Sequence, residues 1–389
     1  MSRGLGSKER AILAALDKNG GRSSTKFLIE AVGFKGFYRS LNSLLRKRKI
    51  SWYKSHGGPD GTPGLVSITR KSILLIDVDS VIANLALMKI SAYHKQQGHD
   101  VTLQRGMKIS NNKEKYDVVY ISCLFAKNRT QARRLAKQFP ESDVHLGGTG
   151  INLSTTLPDE IEHIMPDYNL YPEINYSLGY SSRGCPRNCG FCIVPKKEGK
   201  PHAVADIYDF YNPKFRKMTL LDPNIFSVPH DHFKKIARQI IKEGIQEIEF
   251  NAGLDIRLID DEKAKLLKEM HIQQPKFAWD NIDDEYSVLR GIEILRKHGI
   301  KRSVFYVLTG FDSTFEEDLY RLLKLKSLGQ RPYLMRFEAA RSDKENKEYI
   351  YLAAWANQPQ FFETMSFDEY KRKWKAREEN RNKVPIFGA

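Results

Sequence analysis

The sequence predicts an α/β chain in which a partial (β/α)6 barrel follows a doubly wound α/β domain and a small basic helical domain. Three observations carry this prediction. Apolar strand-like runs alternate with amphipathic helical runs six times between residues 166 and 345. A shorter alternation of the same kind fills residues 72–165. Residues 1–71 hold 15 lysines and arginines against four acids, a net of +11, whereas the whole chain is +16, so the other 318 residues carry only +5. The expected division is 1–71, 72–165, 166–345 and a helical extension over 346–389.

In the basic segment, "SKERAILAALDKNG" (Ser7 to Gly20) reads as a helix with a serine cap and a glycine stop. "SSTKFLIEAVGF" is a second helix and "GFYRSLNSLLRKRKI" a third, with Phe37, Leu41, Leu44 and Leu45 as its apolar stripe. Residues 51–70 read as two strands around a Gly/Pro-rich tip. Three helices and a hairpin resemble a winged helix. A strongly basic domain of that shape is an electrostatic footprint for DNA or RNA, with Arg46, Lys47, Arg48 and Lys49 as the expected phosphate contacts. A solvated basic surface or a protein-docking module has the same composition.

In the second segment, "SILLIDVD", "HDVTLQ", "DVVYISCLF" and "DVHLGGTG" read as strands, with helices over Asn84–Gly98 and Arg129–Phe139. This is a doubly wound, Rossmann-like layout. The glycines of "GGTG" fit a plain turn better than a phosphate cradle. Cys123 reads as a small buried apolar residue.

The third segment opens on "NYSLGYSSRG", a strand running into a loop. "KMTLLD", "EIEFNAG", "KFAWDN", "SVFYVLTG" and "PYLMRFE" follow as strands. Helices are expected over His232–Gly244, Asp261–Met270, Glu285–His298 and Glu316–Leu328. Barrel active sites lie at the carboxyl ends of the strands. Candidate site residues cluster there in this sequence: Asp222 and Asn224, then Asn251, Asp255 and Arg257, then Trp279, Asp280 and Asn281, then Thr309 and Gly310. Tyr370 and Trp374, four apart in the charged tail, fit packing better than base stacking.

Three of the chain's four cysteines fall in eight residues, "CPRNCGFC", from Cys185 to Cys192. Neighbours this close rarely meet disulfide geometry, and three is an odd number. No apolar leader and no long apolar run is visible, so a cytoplasmic, reducing setting without membrane contact is expected. There, clustered cysteines read as metal ligands. Structural zinc would need a fourth ligand such as His202 or Cys123. An iron–sulfur cluster held by three thiolates keeps one iron open.

Cys185, Cys189, Phe191 and Cys192 match CxxxCxxC with an aromatic before the last cysteine. On these residues, and on their place after a first barrel strand, the chain resembles the radical S-adenosylmethionine (SAM) superfamily. The resemblance implies a [4Fe–4S] cluster on the three cysteines. It also implies SAM on the open iron and an electron donor such as flavodoxin or ferredoxin. One electron then breaks a C–S bond of SAM, and the resulting 5′-deoxyadenosyl radical takes hydrogen from a substrate. SAM and cluster contacts are expected from Phe191, Asp222, Asn224, Asn251, Asp255, Arg257, Asp280 and Gly310. The family often has Gly-Gly-Glu after the second strand; here "LDPN" stands in its place, with Asp222 or Asn224 as the substitute. The middle domain is similar to cobalamin-binding domains, but its first loop, "DVDSVIANL", lacks their histidine, so cobalamin is not expected. The expected function is a radical SAM enzyme modifying a nucleic acid. The alternatives are an enzyme acting on a protein or small molecule, with the basic domain for docking or regulation, and an iron–sulfur nucleic-acid sensor without catalysis.

Overall fold

The structure is a computed structural model. It describes residues 5–47, 49–53, 65–68, 70–108, 115–229, 231–272, 274–337 and 343–383. The chain is a mixed α/β protein of two compact units, Met1–Ile174 and Asn175–Ala389.

The first unit begins with α1 (Ser7–Lys18), β1 (Arg22–Ser24), α2 (Thr25–Val32), α3 (Phe37–Arg46), β2 (Ile50–Tyr53) and β3 (Leu65–Ile68). Gly6, not Ser7, caps α1, and its N–H donates to the Glu9 carboxylate at 2.6 Å. Ser24 caps α2 through the Phe27 N–H. Ile12, Leu16, Leu28, Phe37, Leu41 and Leu44 are fully buried together, whereas Leu45, expected in the same stripe, is only partly buried. The sheet has three antiparallel strands, β1–β3–β2, rather than two. Arg22–Ser24 escapes sequence detection because three residues carry no period. The tip of the expected hairpin, 54–64, lies outside the described residues.

The same unit continues through β4 (Ser72–Asp77), α4 (Leu85–Gln96), β5 (Asp100–Arg105), β6 (Val118–Ser122), α5 (Arg129–Ala136), β7 (Asp143–Gly147) and the single turn α6 (Asp159–Glu162). The sheet is parallel throughout, in the order β5–β4–β6–β7. Five of the six β4 residues are buried, as a strand covered on both faces requires. Asn84 caps α4 by accepting from the Leu87 N–H. The "GGTG" turn packs on the loop after β6. A Cβ on Gly148 would lie 2.3 Å from Cys123 O, and the Gly150 N–H donates to that same oxygen. These glycines answer a close backbone approach.

His94 of α4 is buried, its Nε2 3.1 Å from the Tyr120 hydroxyl and its Nδ1 3.0 Å from Nδ1 of His99. Burial, then the neighbouring ring, then the charges of Lys71 and Lys49 hold His94 down to about 4. Burial, then Lys49 and Lys71, hold His99 at about 4 as well. Both rings therefore stay neutral in the folded chain where the unfolded chain takes up protons. Their contribution is intact above pH 6.5 and is lost as pH falls from 6.5 towards 4. The expected loss is on the order of 2 kcal/mol, allowing for the partial exposure of the pair. Urea midpoints measured across that window check it, and His94→Gln should flatten the dependence.

The second unit begins with β8 (Tyr176–Gly179), β9 (Ser182–Arg183), α7 (Val194–Glu198), β10 (His202–Ala203), β11 (Lys217–Leu220), α8 (His232–Lys242), β12 (Glu247–Phe250), α9 (Asp261–Glu269), β13 (Lys276–Ala278), α10 (Glu285–Lys297), β14 (Val304–Thr309), α11 (Phe315–Ser327) and β15 (Arg331–Arg336). Three closing helices follow, α12 (Asp343–Ala356), α13 (Pro359–Thr364) and α14 (Phe367–Lys383). One parallel sheet runs β8–β11–β12 and another β13–β14–β15. A parallel bridge between Leu254 and Phe277 joins them, so six parallel strands follow one another in chain order. The strand–helix alternation read from the sequence is present, with ends one to three residues shorter. Phe250, Phe277, Phe305, Leu322 and Trp355 form part of one buried core. Tyr370 joins that core and its ring lies 5.7 Å from Trp374. Among the described residues no helix is long and apolar enough to cross a membrane.

Candidate functional site

The cysteine loop leaves β8 at its carboxyl end. The antiparallel pairing of β9 with β10 closes its neck. Glu198 accepts from Arg183 Nη1 and from the Gly184 N–H, both at 3.2 Å, and the Cys185 N–H donates to Gly199 O at 3.1 Å. Gly184 has φ +80°, and a Cβ there would lie 2.2 Å from Lys200 O. A glycine must therefore precede Cys185.

Below the neck, Asp222 is buried and accepts from Ser181 N (3.2 Å), Ser181 Oγ (2.6 Å) and Ser182 Oγ (2.5 Å). His232 Nε2 lies 3.1 Å from the same Ser181 hydroxyl. Burial raises the Asp222 pKa above the usual carboxylate range, and the serine donors only partly offset it. Asp222 and Asn224 are the two expected substitutes for the Gly-Gly-Glu stretch. The Asp222 carboxylate is engaged by the strand exit that launches the cysteine loop.

Asp255 is the hub of the site. It accepts from Arg187 Nε at 3.0 Å, Arg257 Nε at 2.7 Å and Asn224 Nδ2 at 3.2 Å. Arg257 also reaches Asp284 at 2.8 Å. Burial alone would raise the Asp255 pKa; the guanidiniums of Arg257 and Arg187 outweigh it and hold the carboxyl low. Arg187 lies between the first two cysteines, so this network staples the loop to the end of β12. Asn224 Nδ2 also lies 3.5 Å from Cys185 Sγ. Its Oδ1 is buried and has no hydrogen-bond partner among the described residues. An orphaned acceptor beside a thiol is the mark of a missing donor.

Burial raises the Cys189 thiol pKa, Arg257 opposes this, and the thiols of Cys192 and Cys185 and the Asp280 carboxylate add to the rise. The Cys189 thiol therefore lies within electrostatic reach of the other two thiols and of a guanidinium. No three His, Cys, Asp or Glu side chains among the described residues converge on a single ion. A multi-iron cluster takes each thiolate on a different iron and so needs thiols that are near but not convergent. Three thiols on one loop, with an orphaned acceptor beside them, are a donor set that such a group could use. His202, offered as a zinc ligand, is exposed and bonded to Lys200 O.

The remaining expected residues divide. Phe191 packs edge-on against Phe311, ring centroids 5.4 Å apart, just beyond β14. Asp280 accepts from the Leu308 N–H, and its pKa is raised by burial. Gly310 donates its N–H to Asp318 at 2.8 Å. Asn251 is exposed at the end of β12 and makes none of the hydrogen bonds of the cysteine site. Cys123, in the other unit, is buried and its thiol donates to Asp79; burial, then Asp79, push it up to about 11. Sequence reasoning missed Arg187, Ser181, Ser182 and Glu198. Arg187 could have been found, being the one charge inside the cysteine motif.

The basic residues of the first unit also divide. Lys47 is paired with the buried Glu9 at 2.8 Å. Lys49 is half-buried and its pKa is lowered, first by burial and then by Lys71. Arg48 lies outside the described residues. Of the four expected phosphate contacts, Arg46 is described and exposed.

No protein-family model matches the chain. The chain is similar to tRNA-2-methylthio-N(6)-dimethylallyladenosine synthase of Bifidobacterium adolescentis, at 21% identity over 307 residues. The match takes in 67% of this chain and 62% of that protein, so the chain spans less than two thirds of its relative's length.

Proposed function

We propose that this chain is a radical SAM enzyme that modifies RNA, with transfer RNA as the first candidate. The observation that carries the reading is the loop of three thiols, pinned by Asp255 through Arg187 at the carboxyl ends of the parallel strands. When bound there, a [4Fe–4S] cluster and SAM supply reductive cleavage of a SAM carbon–sulfur bond and, through it, hydrogen abstraction from a substrate. Cys185, Cys189 and Cys192 would hold the cluster. Asn224 Oδ1 is a buried acceptor suited to the SAM ammonium group. Asp222 positions the loop through Ser181 and Ser182, and Asp255 does so through Arg187. Phe191, part of the motif, packs edge-on against Phe311 and would place an apolar surface beside the cluster.

We read the six parallel strands as a partial barrel and the basic front of the chain as a winged helix. The RNA assignment is supported by the relative, whose name states a tRNA product, and by the net charge of residues 1–71. Sulfur transfer would need a sulfur source beyond the motif. In this chain the one further cysteine, Cys123, is buried with a raised thiol pKa.

The test is turnover. Reconstituted chain, reductant and SAM are incubated with bulk tRNA, or separately with total protein, from cells lacking the chain. A mass-shifted nucleoside and faster SAM cleavage with tRNA are expected. A mass-shifted peptide with unchanged nucleosides would contradict the reading.

A further inference from the structure

The charge of residues 72–165 is balanced in sum and unbalanced in place. The segment holds eleven lysines and arginines against ten acids. Five of those cations lie between Leu124 and Pro140, a stretch with no acid. That stretch contains α5. Ala132 and Leu135 turn the inner side of this helix into the core beneath it. Thr130, Arg133, Arg134 and Lys137 stand three or four residues apart in pairs, so they share the outer side, and all four are exposed.

The way cations are partnered separates this face from its surroundings. Lys89 pairs with Glu162, Lys95 with Asp167, Arg105 with Glu173 and Lys115 with Glu141. Arg129 donates to Gly150 O, and Lys127 lies over the ring of Phe125, 5.8 Å from its centroid. Among the described residues Arg133, Arg134 and Lys137 have no acidic partner. Like charges three and four apart on a helix repel one another. Three of them within about one turn, with no acid placed among them, suit a polyanion that supplies the counter-charge.

The chemistry of the face narrows that polyanion. A helix that lies on a membrane offers a large apolar side to the lipid. The apolar side of α5 is already in the protein core. A protein interface is built around a buried apolar centre, and the outer stripe of α5 carries no apolar residue. A phosphate backbone needs neither. Two guanidinium forks and an ammonium group are donors that phosphate oxygens accept. From Thr130 to Lys137 the stripe runs about 10 Å along the helix axis, the reach of about three successive phosphates of one strand.

We propose that Arg133, Arg134 and Lys137, with Thr130, form a phosphate-backbone contact for the RNA substrate, distinct from the basic residues 1–71. It holds the RNA in place without reading its sequence, because phosphates carry no base identity. The inference rests on the reading of RNA as substrate.

The full reconstituted chain is titrated with bulk tRNA at several salt concentrations. Arg133→Ala, Arg134→Ala and Lys137→Ala combined should weaken binding roughly tenfold or more and lower the salt slope by about two to three. Arg133→Lys with Arg134→Lys should keep most of the binding, because charge is what the phosphates meet. A control variant loses three cations that have acidic partners, through Lys115→Ala, Lys297→Ala and Lys373→Ala. Its net charge falls by the same amount, and it should bind tRNA within about threefold of the parent. Iron content and thermal melts confirm that each variant folds. Equal losses from the two triple variants would show that net charge alone attracts the RNA, which overturns this face and leaves the RNA reading standing. Parent-like binding by the α5 variant does the same. Vesicles of anionic phospholipid that bind the parent as tightly as tRNA does, and are lost with the α5 variant, overturn the face in favour of a lipid surface. A parent chain that binds no tRNA even at low salt overturns both the face and the RNA reading.

Discussion

Cys189→Ala should leave the anaerobically reconstituted chain with little or no iron, where the unaltered chain takes up about four irons and four sulfides. The same loss is expected for Cys185→Ala and Cys192→Ala. Each thiol would hold a different iron. Cys123→Ala is expected to keep the full complement, since that thiol is buried in the other unit and bonded to Asp79. Iron and acid-labile sulfide analysis checks all four variants. One zinc per chain with no iron uptake would show that the thiols serve a single ion.

Arg321→Met should cost about 3–5 kcal/mol of stability. Arg321 and Asp318 are both fully buried, one turn apart on α11, and paired. Arg321 also donates to Trp279 O at 2.5 Å and Leu308 O at 2.8 Å, tying the ends of β13 and β14 together. Removing it strands a buried carboxylate. Replacing both members by leucine should recover only part of the loss. Asp318 also accepts from the Gly310 N–H, the Ser313 hydroxyl and the Tyr349 hydroxyl, and these would lose their acceptor. Urea unfolding of the single and double variants checks this, and a double variant as stable as the parent would show that the network is dispensable.

The parts of this fold that repeat were legible in the sequence. Six strand–helix units and most of the buried stripe of α3 follow from the period of the apolar residues, which a sequence displays directly. Short strands such as Arg22–Ser24 were not legible, because three residues show no period. The cysteine motif stood out through spacing alone. What surrounds it did not. Asp222, Asp255 and Asn224 were all found as polar residues at strand ends, but which of them is spent on structure depends on contacts far apart in sequence. Asp222 meets Ser181 across 41 residues, and Asp255 meets Arg187 across 68. The run Arg46–Lys49 shows the same limit. Its charge is visible, but the ion pair of Lys47 with Glu9, 38 residues away, is not.

Reductive cleavage of SAM by the reconstituted chain tests the central claim most directly. With a strong reductant and no substrate, slow release of 5′-deoxyadenosine and methionine in equal amounts is expected. Asn224→Ala should slow that release more than it lowers iron content, because its orphaned oxygen is assigned to SAM and not to the cluster. A chain that takes up its full iron and sulfide, is reduced, and still leaves SAM intact would contradict the account.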